Sequence, residues 1–139
     1  MTKDINITIV DNIQYNYHSF FENRNTTTYS YFRFDIFANP IFQDFDNLMY
    51  IDVDTEFNKP IDELFTTTHE PGIYMVKEWG KRWVLDKTID KYCNAGMIFT
   101  TPSQLDEKTK FDLFLELVSC SSKNQLKYAD QDALNYVLS

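Results

Sequence analysis

Glycine is nearly missing from this chain: among 139 residues there are 3. That shortage excludes the glycine-rich loops that cradle phosphates, and neither GxGxxG nor a Walker pattern occurs. A nucleotide handled here has its phosphates held by a metal or by side chains. Cysteine is scarce too. Cys93 and Cys120 are the only 2 and lack CxxC spacing, which excludes a secreted disulfide scaffold. Positive charge is in deficit, with 13 Lys+Arg against 21 Asp+Glu and a net charge of −8. Neutralising nucleic-acid phosphates needs a basic face, so a nucleic-acid partner is excluded, as is a polybasic membrane patch. No apolar run approaches the ~20 residues of a membrane span. The start, MTKDINITIV, has no signal-peptide core or cleavage site, so a reducing cytoplasm is the expected compartment.

What is present describes a folded domain. Hydrophobic residues make up 43% and charged residues 24%, a globular balance. The length suits one domain over residues 1–139, long enough to bury a core without staples. The 12 Phe and 9 Tyr are many, and a Phe/Tyr-rich core explains them more simply than a sugar-stacking surface.

The spacing predicts alternating strands and helices. Ile5–Val10 alternates as a strand, and 22–28 is a polar loop. Tyr31, Phe34 and Phe37 recur at helical spacing, until Pro40 ends or restarts the helix. The apolar run 47–51 suits a buried strand, Pro60–Phe65 a helical turn, and 72–76 and 92–100 two further strands. Thr101-Pro102-Ser103-Gln104 reads as a capping box, opening a helix whose apolar face is Phe111, Phe114, Leu115 and Val118. Asp130 reads as the N-cap of a last helix, with Ala133, Tyr136 and Val137 inward. Such alternation predicts an α/β fold with a mostly parallel sheet flanked by helices. Ligands then bind beyond the carboxyl ends of strands, which points to Asp52–Asp54 and to Asn94.

Asp52-Val53-Asp54 closes the apolar run. In extended chain, residues i and i+2 point the same way, so both carboxylates face one side. That arrangement suits a hard cation, Mg²⁺ or Mn²⁺, with substrate phosphates as its other ligands. On the motif alone, a polar turn carrying two Asp reads equally well. A haloacid-dehalogenase-type phosphatase is excluded, because Glu56 stands where it wants Thr or Val and the motif lies far from the chain start.

Several segments, in order, resemble glycosyltransferase family 8. Tyr31-Phe32-Arg33-Phe34 comes first, then Asn47 to Asp54, then Ile61 to Phe65. Cys93-Asn94-Ala95-Gly96-Met97-Ile98-Phe99 looks like the family's "F-N-(S/A)-G-hydrophobic" strand, and Tyr128-Ala129-Asp130-Gln131-Asp132-Ala133-Leu134-Asn135 like its "DQDxLN" segment. The resemblance implies a GT-A-like fold and metal-dependent, retaining transfer of a hexose. The donor it implies is a UDP-sugar, UDP-glucose or UDP-galactose, and the acceptor a carbohydrate or glycolipid. It implies that Asp52 and Asp54 hold Mn²⁺ or Mg²⁺, with Asp52 and Val53 also against the donor. Arg33 would reach the donor sugar or diphosphate, and Asn94, Ala95 and Gly96 would line the sugar pocket. Asp130 and Gln131 would sit by the anomeric centre as catalytic residues, and Asp132 would touch sugar hydroxyls. The plainer alternatives are a surface ion pair for Arg33, a strand-edge amide for Asn94 and a helix cap for Asp130. His18 and His69 match no family position. Trp79 and Trp83 flank Lys81 and Arg82, in an acceptor-facing loop or a solvated turn.

The resemblance also implies a central segment. Roughly thirty residues precede Arg33, about one βαβ unit, and they carry no family nucleotide-binding pattern. The family's third metal ligand, a His after DQDxLN, has no counterpart before Ser139. The first βαβ unit and the His segment are therefore expected to be missing. The alternative to an enzyme is a non-catalytic or split GT-A remnant. It would bind sugar nucleotide weakly or need a completing partner chain, and a homo-oligomer is compatible with either.

Overall fold

The computed structural model describes residues 28–122 and 125–139. The expected strand Ile5–Val10 and His18 lie outside the described residues. A 3-10 helix, Thr28–Phe34, runs into a single α-turn, α1 (Asp35–Ala38). Pro40 opens a further 3-10 turn, Pro40–Phe42, after the Asn39 side chain caps Ile41 N–H. Then follow β1 (Leu48–Ile51), α2 (Asp62–Thr66), β2 (Ile73–Lys77), β3 (Arg82–Val84), β4 (Lys87–Ile89) and β5 (Cys93–Thr100). Two longer helices end the chain, α3 (Glu107–Ser121) and α4 (Ala129–Val137). The described helices include none long and apolar enough to cross a membrane.

The fold is mixed α/β, and the expectation of a mostly parallel sheet needs correcting. The described three-stranded sheet has the order β1-β5-β2, and β5 is antiparallel to both neighbours. Crossover to a parallel neighbour takes a dozen or more residues, usually a helix. Between β2 and β5 the chain instead forms the β3–β4 hairpin, so β5 returns antiparallel. The path from β1 through α2 to β2 does leave those two strands parallel, but β5 lies between them. The carboxyl-end rule therefore holds for Asp52 and not for Asn94. Asn94 sits at the amino end of β5, and antiparallel pairing brings it beside the exit of β1.

One irregularity matters for the site. Met75 pairs with Ile98, but the next residue, Val76, pairs with Asn94. Ala95, Gly96 and Met97 thus lie opposite a break in the β2 ladder. On the other side β1 ends at Ile51, paired with Met97.

Helices α3 and α4 pack under the sheet with α1. The core there includes Tyr31, Phe34, Phe37, Ile98, Phe114, Leu117, Ala133 and Leu134. The expected face of α3 is corrected by about one position. Lys110, Phe114, Leu117, Val118 and Ser121 point inward, while Phe111 and Leu115 are half-exposed. The capping box is also corrected. The Thr101 hydroxyl is buried and accepts from Gly72 N–H at 3.1 Å, so it makes no cap. Pro102–Gln104 is an isolated 3-10 turn, and α3 is capped by Asp106, which accepts from Thr109 N–H at 2.9 Å. Cys93 and Cys120 are free thiols, the latter buried. His69 packs on Phe99 and Tyr74, with Nε2 2.7 Å from the Leu64 carbonyl.

Leu117 is 0% exposed and Leu115 48%. Leu117→Ala is expected to cost roughly 2–5 kcal/mol, and Leu115→Ala well under about 1 kcal/mol. Urea unfolding of both variants checks the face assignment; equal losses would contradict it.

Candidate functional site

The site forms where β1 runs out and β5 continues past it. Asp52 N–H donates to the Gly96 carbonyl at 2.8 Å, the last ladder-like bond between the two strands. Beyond that point the backbone groups of Ala95 and Cys93 that face the vacated side need partners. Three side chains supply them. Arg33 Nη1 donates to the Ala95 carbonyl at 2.5 Å, and Gln131 Oε1 accepts from Ala95 N–H at 3.0 Å. Asn135 accepts from Cys93 N–H at 2.6 Å and donates to the Cys93 carbonyl at 2.7 Å, as a neighbouring strand would.

Arg33 is the hub of this region. It is 8% exposed, and its guanidinium lies over the Tyr50 ring, 4.8 Å from the centroid. Nε donates to the Ser30 carbonyl at 2.9 Å and stands 2.9 Å from Asp130 Oδ2. Nη2 donates to Asp52 Oδ1 at 3.2 Å. Arg33 thus joins the DxD and DQD segments, and its surface-pair alternative is set aside by burial. Asp130 is 7% exposed. Burial pushes its carboxyl above the usual range, against the pull of Arg33 and a Ser30 hydrogen bond. Its expected cap role is corrected: α4 has no side-chain cap at its N-cap position, Tyr128. Ala129 enters the helix at φ 43°, a left-handed conformation that costs a residue with a Cβ, and the backbone turn there precedes Asp130.

Asp52 is also held by Tyr50, whose hydroxyl donates to Oδ1 at 2.7 Å. Burial and that bond push the Tyr50 hydroxyl up to about 12, so it stays a donor. Thr55 N–H bonds the Asp52 carbonyl, so residues 52–55 form a turn rather than extended chain. The two-residue alternation therefore does not align Asp52 with Asp54. The carboxylate of Asp54 and the side chain of Val53 are exposed. Gly96 makes room for Asp52: a Cβ built there meets Asp52 Oδ2 at 2.9 Å and Asn94 Oδ1 at 2.8 Å.

Asn94 is exposed; its Oδ1 accepts from Gly96 N–H at 2.7 Å, and Nδ2 donates to Glu78 at 3.2 Å. Gln131 also donates to Glu78, at 3.1 Å. Asp132 is buried with both oxygens engaged, Oδ1 by the Tyr92 hydroxyl at 2.6 Å and Oδ2 by Tyr128 N–H at 2.8 Å. Its geometry is that of a brace for the start of α4. Trp79 is fully exposed, in the turn before β3.

A divalent ion would find oxygen donors of the right hardness in Asp52 and Asp54. Among the described residues no group of three or more His, Cys, Asp or Glu is arranged to hold a metal. The donor set fits Mn²⁺ or Mg²⁺ only where a ligand brings further oxygens.

Sequence reasoning gave no role to Glu78, Tyr50, Tyr92 or Asn135, although Tyr50 and Asn135 lie within the segments Asn47–Asp54 and DQDxLN. Asn135 stands four residues after Gln131, on the same helix face, which was a usable signal. Glu78 and Tyr92 follow from sheet pairing and left no motif.

Removing Arg33 leaves two carboxylates without their cation. Arg33→Ala is expected to cost roughly 3–5 kcal/mol, part of it recovered by adding Asp130→Ala. Denaturant unfolding measures both; a loss under about 1 kcal/mol would match an exposed pair instead.

Comparison with known proteins bears on the fold and on the family. No curated protein matches the chain. The solved apo structure of the WbbM bifunctional glycosyltransferase superposes with a TM-score of 0.60 at 19% identity, over 83% of this chain and 24% of that one. The chain thus spans about a quarter of that protein and shares the fold of that part. The sequence profile of glycosyl transferase family 8 matches residues 2–139. By that match, the chain belongs to glycosyl transferase family 8.

Proposed function

We propose that this domain transfers a hexose from a UDP-sugar, UDP-glucose or UDP-galactose, to a carbohydrate or glycolipid acceptor, with retention at the anomeric carbon. The observation that carries the reading is the Arg33 cluster, which ties Asp52 and Asp130 to the Ala95 peptide. Family membership supports the reaction class.

In this reading Asp52 and Asp54 would hold Mn²⁺ or Mg²⁺, and a bound ion would supply positive charge to offset that on the departing diphosphate. The charge balance favours this. Arg33 is one cation between two carboxylates, and a bare diphosphate would be repelled by the remainder. Asn94, Ala95 and Gly96 line the sugar pocket, with Gly96 leaving space for Asp52. Val53 borders the donor from the exposed turn.

Asp130 is the group placed to face developing positive charge at the sugar. It is buried and its Oδ2 is held by Arg33 Nε at 2.9 Å, so although burial raises its basicity the carboxylate is tied back, and attack on the donor's front face suits it better than a covalent ester. Gln131 enters as a positioning residue, because its amide is engaged by Ala95, Glu78 and Tyr92. Asp132 acts behind it through Tyr92 and Tyr128. A second reading draws on the small donor set: a domain that binds sugar nucleotide and needs a further segment or partner chain to turn over.

Calorimetry with UDP-glucose and UDP-galactose, with Mn²⁺ and with chelator, tests the donor reading. Binding is expected to tighten with Mn²⁺, and Asp54→Asn to remove that coupling. Equal affinity for UDP in chelator and in Mn²⁺ would sink the metal role. Binding, weak or otherwise, without turnover over a panel of sugar acceptors would favour the second reading.

Gly96→Ala tests the pocket floor. The added Cβ falls 2.9 Å from Asp52 Oδ2 and 2.8 Å from Asn94 Oδ1, so one of them must move. A loss of about tenfold or more in Mn²⁺-dependent UDP-sugar affinity is expected, equivalent to about 1.4 kcal/mol. Unchanged affinity would show that these two side chains do not shape the pocket.

A further inference from the structure

Glu78 follows β2 directly and carries no motif, yet it touches two amides of the site, those of Asn94 and Gln131. Its backbone N–H donates to the Tyr92 carbonyl at 2.8 Å, extending the β2–β5 pairing by one bond. Its carboxylate is held from behind. Arg82 Nη2 donates to Oε2 at 3.0 Å, and the Arg82 guanidinium is flanked by the Tyr92 and Tyr128 rings, with centroids at 4.9 and 4.7 Å. That leaves Oε1 aimed at Asn94 Nδ2 and Gln131 Nε2, at 3.2 and 3.1 Å.

We propose that Glu78 is the positioning residue of the sugar pocket: its carboxylate turns the amides of Asn94 and Gln131 so that the pocket offers a sugar hydroxyl the remaining N–H of Asn94. The inference rests on the donor-sugar reading above for what the pocket holds.

A primary amide has two ends of equal size, and its partners decide which way it faces. An ionised carboxylate only accepts. Burial works against ionisation of Glu78, but hydrogen bonds from Asn94, Arg82 and Gln131 outweigh it and hold the carboxyl below its usual range. Both NH₂ groups therefore turn to Glu78, and both amide oxygens turn the other way. There they meet donors, Gly96 N–H on Asn94 and Ala95 N–H on Gln131. Flipping either amide would set oxygen against carboxylate and NH₂ against N–H. Gln131 uses its second N–H on the Tyr92 hydroxyl at 3.3 Å, which completes its set. Asn94 is exposed and keeps one N–H, so the complementary ligand atom is an acceptor such as a hydroxyl oxygen.

Glu78→Gln in the full chain tests this, because glutamine keeps the shape and loses the acceptor-only character. The side-chain NH₂ resonances of Asn94 and Gln131 are followed by ¹⁵N–¹H NMR, assigned from Asn94→Ala and Gln131→Ala. Both pairs are expected to shift and to exchange with solvent about tenfold faster, the scale of losing a charge-assisted bond. With Mn²⁺ present, calorimetry should show UDP-glucose and UDP-galactose weakened about tenfold while UDP keeps its affinity. Unmoved amide resonances, or equal weakening of UDP and the UDP-sugars, would overturn the proposal. If the wild-type protein binds the sugar nucleotides no better than UDP, the donor-sugar reading fails, and the NMR arm still judges the amide orientation. Should Glu78→Gln unfold, Arg82→Met frees the carboxylate without removing it. The same resonances then move if Glu78 sets them, and stay if it does not.

Discussion

A buried guanidinium organises this domain. Arg33 is linked at once to its own 3-10 helix, the end of β1, the start of β5 and the start of α4. Its planar fork allows this, since the donors diverge at fixed angles. A lysine would bring one point charge to a place that needs several directions. Burying ions is expensive, and a buried pair is poor grounds for claiming net stability. What the cluster secures is arrangement. Two carboxylates from distant segments are held next to one peptide group, and neither can relax without stranding the other.

The second constraint is the hydrogen-bonding of β5. β1 ends opposite Met97, and the residues before it still present N–H and C=O groups toward the vacated side. A longer β1 would satisfy them with backbone and close the site. Here Arg33, Gln131 and Asn135 do so with side chains. The polar face of α4 is therefore part of the sheet's bonding pattern, and substitution on that helix reaches β5 directly. The break in the β2 ladder next to Ala95–Met97 gives the strand room to bend at the same place.

Much of the site was legible in the sequence because it is built from contiguous motifs. Arg33, Asp52, the Asn94–Gly96 stretch and the DQD segment stood out, and the structure brings them to one end of one sheet. Asp54 and Val53 remain on the exposed side of the turn. The direction of β5 was not legible, because the hairpin that sets it comprises two strands of three residues each, too short to register as periodic. The face of α3 was misread because Phe111 and Leu115 are apolar, while the buried positions include Lys110 and Ser121. Composition chose the wrong stripe, and packing against α1 and α4 chose another. The capping box failed for a similar reason: the Thr101 hydroxyl found a partner in Gly72 across the sheet, and no local pattern encodes that. Glu78 was invisible because a single acidic residue after a strand signals nothing until its neighbours are known.

The tyrosines resolve the compositional oddity. With 21 acidic side chains and 13 Lys+Arg, the chain cannot give every carboxylate a cation. Phenols serve as neutral donors instead. Tyr50 donates to Asp52, Tyr92 to Asp132 and Tyr136 to Asp86, at 2.7, 2.6 and 2.9 Å. Burial followed by the carboxylate bond raises the hydroxyl of Tyr92, and that of Tyr50, so both remain protonated donors at neutral pH. A phenol also differs from a cation in what it leaves behind. It orients a carboxylate and shields one lone pair, but it does not cancel the charge. Asp52, bonded by Tyr50 and sharing Arg33 with Asp130, keeps a net attraction for a positive ion. Had Tyr50 been a second arginine, the cluster would be neutral and equally well ordered, with no net negative charge left. Tyrosine donors in place of basic partners thus let the same residues be both fixed in place and electrostatically open.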